Sequence, residues 1–439
     1  MIYSQLMTDR VMYACKKWII AAALVVFCAI SSFSRSDFVT VRGHQFWLGN
    51  KPYYFVGTNY WYGPLLAIDD NVAHRIRLVN ELDFLKRQGV VNLRIMAAVE
   101  GSGLINGVLR VQPASQLAAG VFSEKILLGL DFLLAEMGKR NMKAVLFLSN
   151  NWEWSGGFMQ YVNWFNLVQD SVLRRKLDWD EQRDITSKFY TCKPCKEAYL
   201  KQVNYIVSRK NTVTNQRYVD DPVIMAWQLA NEPRPMRPIV NEAYFDWIQS
   251  ASSFIKKMDQ NHLISIGHEG YMATDGDMSL FEKIHAEKNI DYLTIHIWAK
   301  NWSWFNPSSM HTEMNTIKQK AKDYIETHKE IASKINKPLV IEEFGLPRDN
   351  HTYSPKSTTN QRDQYFEEVF KVYFNSKQKQ GVLAGLNFWA FGGAGRPVSG
   401  QLFWKDGDDY TGDPPMEEQG LNTVFDSDSS TWKLIRKYR

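Results

Sequence analysis

Residues 223–233 read Val-Ile-Met-Ala-Trp-Gln-Leu-Ala-Asn-Glu-Pro, an apolar run that ends on an amide and a carboxylate with proline behind them. A near-continuous hydrophobic run of this length is what a strand buried on both faces requires, as in a parallel sheet wrapped by helices. Pro233 has no N–H to give to a ladder, so the strand stops there and Glu232 falls at its C-terminal end. Working outward, residues 338–345 repeat the pattern as Pro-Leu-Val-Ile-Glu-Glu-Phe-Gly. Six further runs, 53–61, 90–99, 143–150, 263–270, 291–298 and 382–391, complete a set of eight candidate strands.

Between them lie segments of 3.6-residue periodicity at 73–88, 123–140, 196–209, 242–259, 280–288, 316–336 and 361–377. A last helix is expected over 430–439, with Ser430 or Thr431 as its cap. Eight alternating βα units in 439 residues predict an α/β fold, a (β/α)8 TIM barrel in a single domain. The long loops fall after strand 3 (about 151–222) and strand 8 (about 392–429), on the side where barrel enzymes hold their sites. No G-x-G-x-x-G or G-x-x-x-x-G-K-[ST] follows a strand, so dinucleotide and P-loop readings have no support.

Composition bounds the rest. A hydrophobic share of 45% and a charged share of 23% exclude wholesale disorder and a polytopic membrane protein. A formal charge of +5 with no basic stripe argues against nucleic acid as a partner. Lys16 and Lys17 precede a 13-residue apolar run, Trp18 to Ile30, and Ser31, Ser32 and Ser34 follow it. That is the order of a secretory signal peptide and too short to span a membrane, so residues 1–34 are read as a cleaved signal and 35–439 as the mature domain. The product is expected to be secreted or periplasmic, monomeric and without a transmembrane segment; Cys28 leaves a lipoprotein as the alternative. Cys192 and Cys195 then remain in Thr-Cys-Lys-Pro-Cys. A redox pair and a local disulfide both fit this spacing, and an oxidising compartment favours the disulfide.

Side chains alternate along a strand, so Glu342 and Glu343 are expected to point to opposite sides, one to the barrel axis and the other to the helical shell. Two carboxylates at the mouth of one barrel suit glycoside hydrolysis, in which one protonates the leaving oxygen and the other attacks the anomeric carbon. A lone glutamate before proline is ordinarily a cap or an ion pair. Two of them in register at strands 4 and 7 shift the weight to catalysis.

Asn-Glu-Pro after the fourth strand, with Glu-Phe-Gly after the seventh, resembles glycoside hydrolase family 5 over essentially the whole mature chain. Ala-Asn-Glu-Pro-Arg, Asn150-Asn151-Trp152 followed by Gly-Gly, and Asn387-Phe-Trp389-Ala-Phe-Gly-Gly are most similar to its endo-β-1,4-mannanases. The resemblance implies a retaining enzyme cleaving internal linkages of mannan, glucomannan or galactomannan, with Glu232 as acid/base and Glu343 as nucleophile. It further implies that Asn231 bonds the sugar 2-hydroxyl, Arg94 keeps the nucleophile ionised, His296 is the strand-6 histidine and Trp389 floors the site. Arg234 then lies on the leaving-group side, and Trp61, Asn151, Trp152 and Trp298 complete the substrate-contacting set. Trp298 stands where the family often has a tyrosine touching the nucleophile, so either its indole replaces that contact or the local alignment is off.

For the supporting residues, a barrel-bottom ion pair (Arg94) and a satisfied core histidine (His296) are the plainer alternatives. Glu269 reads as a subsite or supporting carboxylate. No metal or organic cofactor is implied. Two rival functions remain: a β-1,4-glucanase on the same scaffold, and a glycan-binding barrel without catalysis. Of the 15 tryptophans, Trp61, Trp152, Trp154, Trp298, Trp302, Trp304 and Trp389 are expected at or just past strand ends, with Trp404 in the last loop. That placement suggests a sugar cleft above an aromatic core.

Overall fold

The computed structural model describes residues 37–68 and 71–439; the expected signal stretch lies outside the described residues. Eight strands form one parallel sheet: β1 (Phe55–Asn59), β2 (Asn92–Met96), β3 (Lys143–Phe147), β4 (Ile224–Gln228), β5 (Leu263–Ser265), β6 (Leu293–Ile297), β7 (Leu339–Phe344) and β8 (Leu383–Phe388). Sequence neighbours pair along β1 to β5 and along β6 to β8, and β8 pairs with β1. Between β5 and β6 single bonds close the ring, from Asp291 N to Ile264 O (2.8 Å) and from His296 N to Glu269 O (3.0 Å). The predicted helices surround it, from Val72–Gln88 to Asn360–Gln378, and the chain ends in Ser429–Tyr438. This is the (β/α)8 barrel. No helix among the described residues is long and apolar enough to cross a membrane.

Every strand residue from β2 to β4 and from β6 to β8, apart from Lys143, is buried, as a barrel wall covered by helices demands. Below the wall, Phe46, Phe55, Met225, Tyr292 and Val340 form a separate apolar cluster. Phe46 comes from an N-terminal three-stranded sheet, Val39–Arg42, Gln45–Leu48 and Lys51–Pro52, which plugs the bottom of the barrel. Those three strands are too short for a periodicity to register in sequence.

Several expected boundaries move. The strands end earlier at the mouth, β4 at Gln228 rather than Glu232. Residues 229–232 still bond to both neighbours singly: Leu229 N to Ser265 O (3.0 Å), Asn231 N to Ser149 O (2.8 Å) and Glu232 N to Gly267 O (2.9 Å). Gly267 has φ +84, and a Cβ there would lie 2.0 Å from the Ala230 carbonyl oxygen, so the close approach needs glycine. The segment after β3 holds Gly157–Trp164, Asp170–Arg174 and Trp179–Thr191, three helices absent from the sequence reading, before the expected one, Lys193–Val207. Cys192 caps that last helix and is disulfide-bonded to Cys195. The final helix is not capped by Ser430 or Thr431. Their hydroxyls bond Asp363 instead (2.6 and 2.5 Å), while the Asp428 carboxylate before them holds Arg348, Arg362 and the Phe425 N–H.

Candidate active site

A cavity of about 360 Å³ opens at the C-terminal ends of the strands, with Asn231, Glu232, Arg234, Trp152, Trp298, Glu343 and Trp389 in its lining. Glu232 leaves the end of β4 with φ +51, a left-handed conformation that costs a non-glycine residue roughly 1–3 kcal/mol. Its backbone bond to Gly267 and the following Pro233 hold it there, aiming the carboxylate into the cavity.

Glu343 reaches the same space through an irregularity in the sheet. Ile295 pairs with Ile341, but His296 pairs with Glu343, so Glu342 is the extra residue of a bulge. The expected alternation is therefore broken. Glu342 does not face the helical shell: it points inside the barrel, accepting from Gln228 Nε2 at 2.6 Å and lying 3.8 Å from His296 Nε2.

Arg94 ties these elements together. Wholly buried on β2, it donates to Glu343 Oε1, to Asn231 Oδ1 (2.7 Å), to Asn59 Oδ1 (3.1 Å) and to Gln228 Oε1 (2.7 Å). It is no barrel-bottom ion pair. The bond to Oδ1, with one from Asn231 Nδ2 to Asn150 Oδ1 (3.0 Å), fixes the Asn231 amide so that its remaining N–H is available to the cavity. On the other side of Glu343, the Trp298 indole Nε1 donates to Oε2 at 3.0 Å. The indole thus makes the contact that a tyrosine would make, and the strand-6 alignment stands.

His296 lies between the two glutamates, with Nδ1 2.5 Å from Glu232 Oε1 and 3.3 Å from Glu343 Oε2. One oxygen from each carboxylate and one ring nitrogen all lie within 4.8 Å of one another, the one group of described residues that brings three possible metal-donor atoms so close. Burial pushes the Glu343 carboxyl up to about 7, with the Glu232 charge adding and His296 and Arg94 opposing. Glu232 is equally buried, and burial is again the largest single influence, but the His296 imidazolium, Arg234 and the Trp152 N–H together outweigh it and hold the carboxyl at about 2. His296 also loses hydration, yet Glu343 and Glu232 raise it to about 10. The three groups therefore titrate as one cluster, of which His296 is the most basic member. A proton passed from His296 Nδ1 to Glu232 Oε1 would make Glu232 an acid with no change in total charge.

Beyond Glu232, the Trp152 indole N–H donates to its Oε2 and the Arg234 guanidinium lies 5.1 Å over the Trp152 ring. Arg234 forms a bidentate pair with Glu269 (2.5 and 2.8 Å), whose carboxyl is raised by burial against the pull of that arginine. Of the other expected contacts, Trp61 does not reach the cavity: it is buried, its N–H is taken by Gly412 O (2.9 Å), and it packs on Trp154 and Tyr410. Asn151 supports the lining from behind, its Oδ1 3.4 Å from Arg234 N. Trp304 and Trp404 likewise pack against neighbours, Trp302 and Tyr410, whereas Trp154 and Trp302 do line the cavity. Sequence reasoning missed Gln228, Trp179, Asn301 and the loop residues Pro414, Met416 and Glu417. Only Trp179 carried a local signal, the capping box Asp178…Glu181 around it.

A family model described as "GH family 5 beta-mannosidase-like" matches residues 36–439. Mannan endo-1,4-beta-mannosidase 4 of Solanum lycopersicum is 30% identical over 379 residues, covering 83% of this chain and 86% of its own. A putative mannan endo-1,4-beta-mannosidase 4 of Arabidopsis thaliana is 30% identical over 395 residues, covering 85% and 89%. Among solved structures, a glycoside hydrolase family 5 mannosidase from Rhizomucor miehei superposes with a TM-score of 0.83 at 33% identity, covering 92% of this chain and 97% of that one. An alanine variant of the Rhizomucor enzyme has been solved in complex with mannosyl-fructose.

Proposed function

The chain belongs to the β-mannosidase-like family of glycoside hydrolase family 5, a mannanase-type glycoside hydrolase, and on that premise we propose that it is a secreted, retaining enzyme cleaving internal β-1,4-mannosidic linkages of mannan, glucomannan or galactomannan. The observation that supports retention is the closeness of the glutamates, one oxygen of Glu232 lying within 4.8 Å of one of Glu343. Retaining enzymes hold the pair at about 5–5.5 Å, whereas inverting ones leave about 6.5–9.5 Å for a water.

In the first step Glu343 Oε attacks the anomeric carbon as the bond to the leaving oxygen breaks. Glu232, having drawn the proton from His296 Nδ1, passes it to that oxygen. Arg94 and Trp298 favour the ionised nucleophile, and the free N–H of Asn231 meets the sugar 2-hydroxyl, where transition-state bonds strengthen. In the second step Glu232 takes a proton from water, which displaces Glu343 and restores the configuration. Trp389 beneath the ring and Trp152 beyond it supply flat apolar faces for the sugars.

A second reading, removal of terminal mannosyl units, is favoured by the loop after β8. Glu417, half-buried, joins Pro414 and Met416 in walling the cavity. Reducing ends released from soluble galactomannan, compared with carboxymethyl cellulose, test substrate class; activity on cellulose alone would favour a glucanase, and on neither a binding protein. The products of mannohexaose separate the two cleavage modes, since internal cutting gives di- and trisaccharides from the outset and terminal cutting gives mannose first.

A further inference from the structure

Trp179 is 46% exposed, an unusual state for a tryptophan in a chain whose other rings are so largely buried. It lines the same cavity as the glutamates and lies across Trp152, with centroids 6.2 Å apart and planes inclined by 28°. Since the Trp152 N–H reaches Glu232 and Trp179 lies across Trp152, the aromatic surface runs from the acid through Trp152 to Trp179.

The ring sits on a braced element. It is the first residue of the helix Trp179–Thr191, which Asp178 and Glu181 cap reciprocally. That helix is fastened to the segment following the acid at three points. Arg237 bonds Asp180 and Asp184 (2.9 and 2.7 Å), Arg183 donates to Met236 O (2.7 Å), and the Tyr190 hydroxyl donates to Arg234 O (2.7 Å). A tryptophan exposed by accident needs no such bracing. This one is held in fixed relation to Glu232 through the chain that carries Arg234.

We infer that Trp179 is the platform of an outer sugar site on the leaving-group side, stacking on the apolar face of a hexopyranosyl unit beyond the one that contacts Trp152 and Arg234. The inference rests on the mannan-cleaving reading and extends it: the enzyme selects chains by what lies past the scissile bond. The position comes from an inserted helix rather than from the barrel wall, so it sets chain-length preference without touching the reacting atoms.

The test compares kcat/KM for mannohexaose with kcat/KM for an aryl β-mannobioside, whose leaving group has no sugar. In Trp179→Ala the ratio of the two falls roughly three- to tenfold, through KM of the hexaose, and cleavage of the hexaose shifts along the chain. Trp179→Phe, which keeps a ring, restores most of the ratio and reports independently should the alanine variant fold poorly. A wild-type ratio and an unchanged cleavage pattern in Trp179→Ala overturn the inference, as does an equal fall on both substrates. Failure of the wild-type enzyme on every β-mannoside would instead remove the underlying functional reading.

Discussion

The two ends of the cleft are built from different material. The end that holds Glu343 is barrel wall: Arg94 from β2, His296 from β6, and Glu343 from β7, with Trp298 one residue past β6. The end beyond Glu232 is loop and insertion, with Trp152 after β3, Trp179 on an inserted helix, and Arg234 and Glu269 past their strands. Wall residues bond one another directly in a buried network of charges, whereas the insertion is fastened by arginines to backbone carbonyls and exposed aspartates. The contrast sets a wall of directly bonded, buried groups against an inserted surface that reaches the cavity from outside the barrel.

The largest expected effects lie at the wall. Glu343→Ala brings hydrolysis of mannan below detection with the fold intact by circular dichroism. Glu232→Ala loses about 10²–10⁴-fold on mannan and far less on an activated aryl mannoside, whose leaving group needs no proton. Equal losses on the two substrates would contradict the acid role.

Arg94→Met leaves the Glu343 carboxylate buried without its cation, which costs about 3–5 kcal/mol in urea denaturation besides the loss of turnover. No comparable loss is expected from Arg237→Met at the insertion, whose partners are exposed. Similar costs at the two positions would erase the distinction between wall and insertion.

His296→Asn tests the shared proton. The imidazolium lowers both carboxyls, so its removal raises them, and the acid limb of kcat/KM moves up by about one pH unit or more. The same histidine, raised to about 10, stabilises the fold fully below its ordinary pKa near 6.5. That contribution is lost as pH rises from there through 10, so the variant's stability deficit shrinks over this window. An acid limb that stays in place would detach His296 from the pair.

The smallest effect belongs to the insertion. Cys192→Ser opens a three-residue loop and costs about 2 kcal/mol by the chain-entropy argument, read as a Tm drop that reductant reproduces in the wild type. Turnover on short aryl substrates should change little.

The same division explains what could be read without coordinates. Asn-Glu-Pro and Glu-Phe-Gly sit at the ends of apolar strands, where periodicity and proline mark position directly, and all eight strands and the placement of both glutamates at the barrel mouth were legible. The inward turn of Glu342 was not, since a bulge is a property of two paired strands and leaves no trace in one. Trp61 misled because an aromatic at a strand end looks the same whether it faces sugar or, as here, a loop backbone at Gly412. Trp179 and Glu417 escaped because they reach the cavity through long connections whose paths are decided by contacts distant in sequence.

The central claim is that Glu343 forms the covalent intermediate while Glu232 serves the proton. A 2-deoxy-2-fluoro-β-mannosyl fluoride slows the second step, and mass spectrometry of peptides from the inactivated enzyme locates the sugar. The account predicts a single label on Glu343 and reactivation on adding a mannosyl acceptor. A label on Glu342 or Glu269, or inversion of configuration in the first product with no label at all, would contradict it.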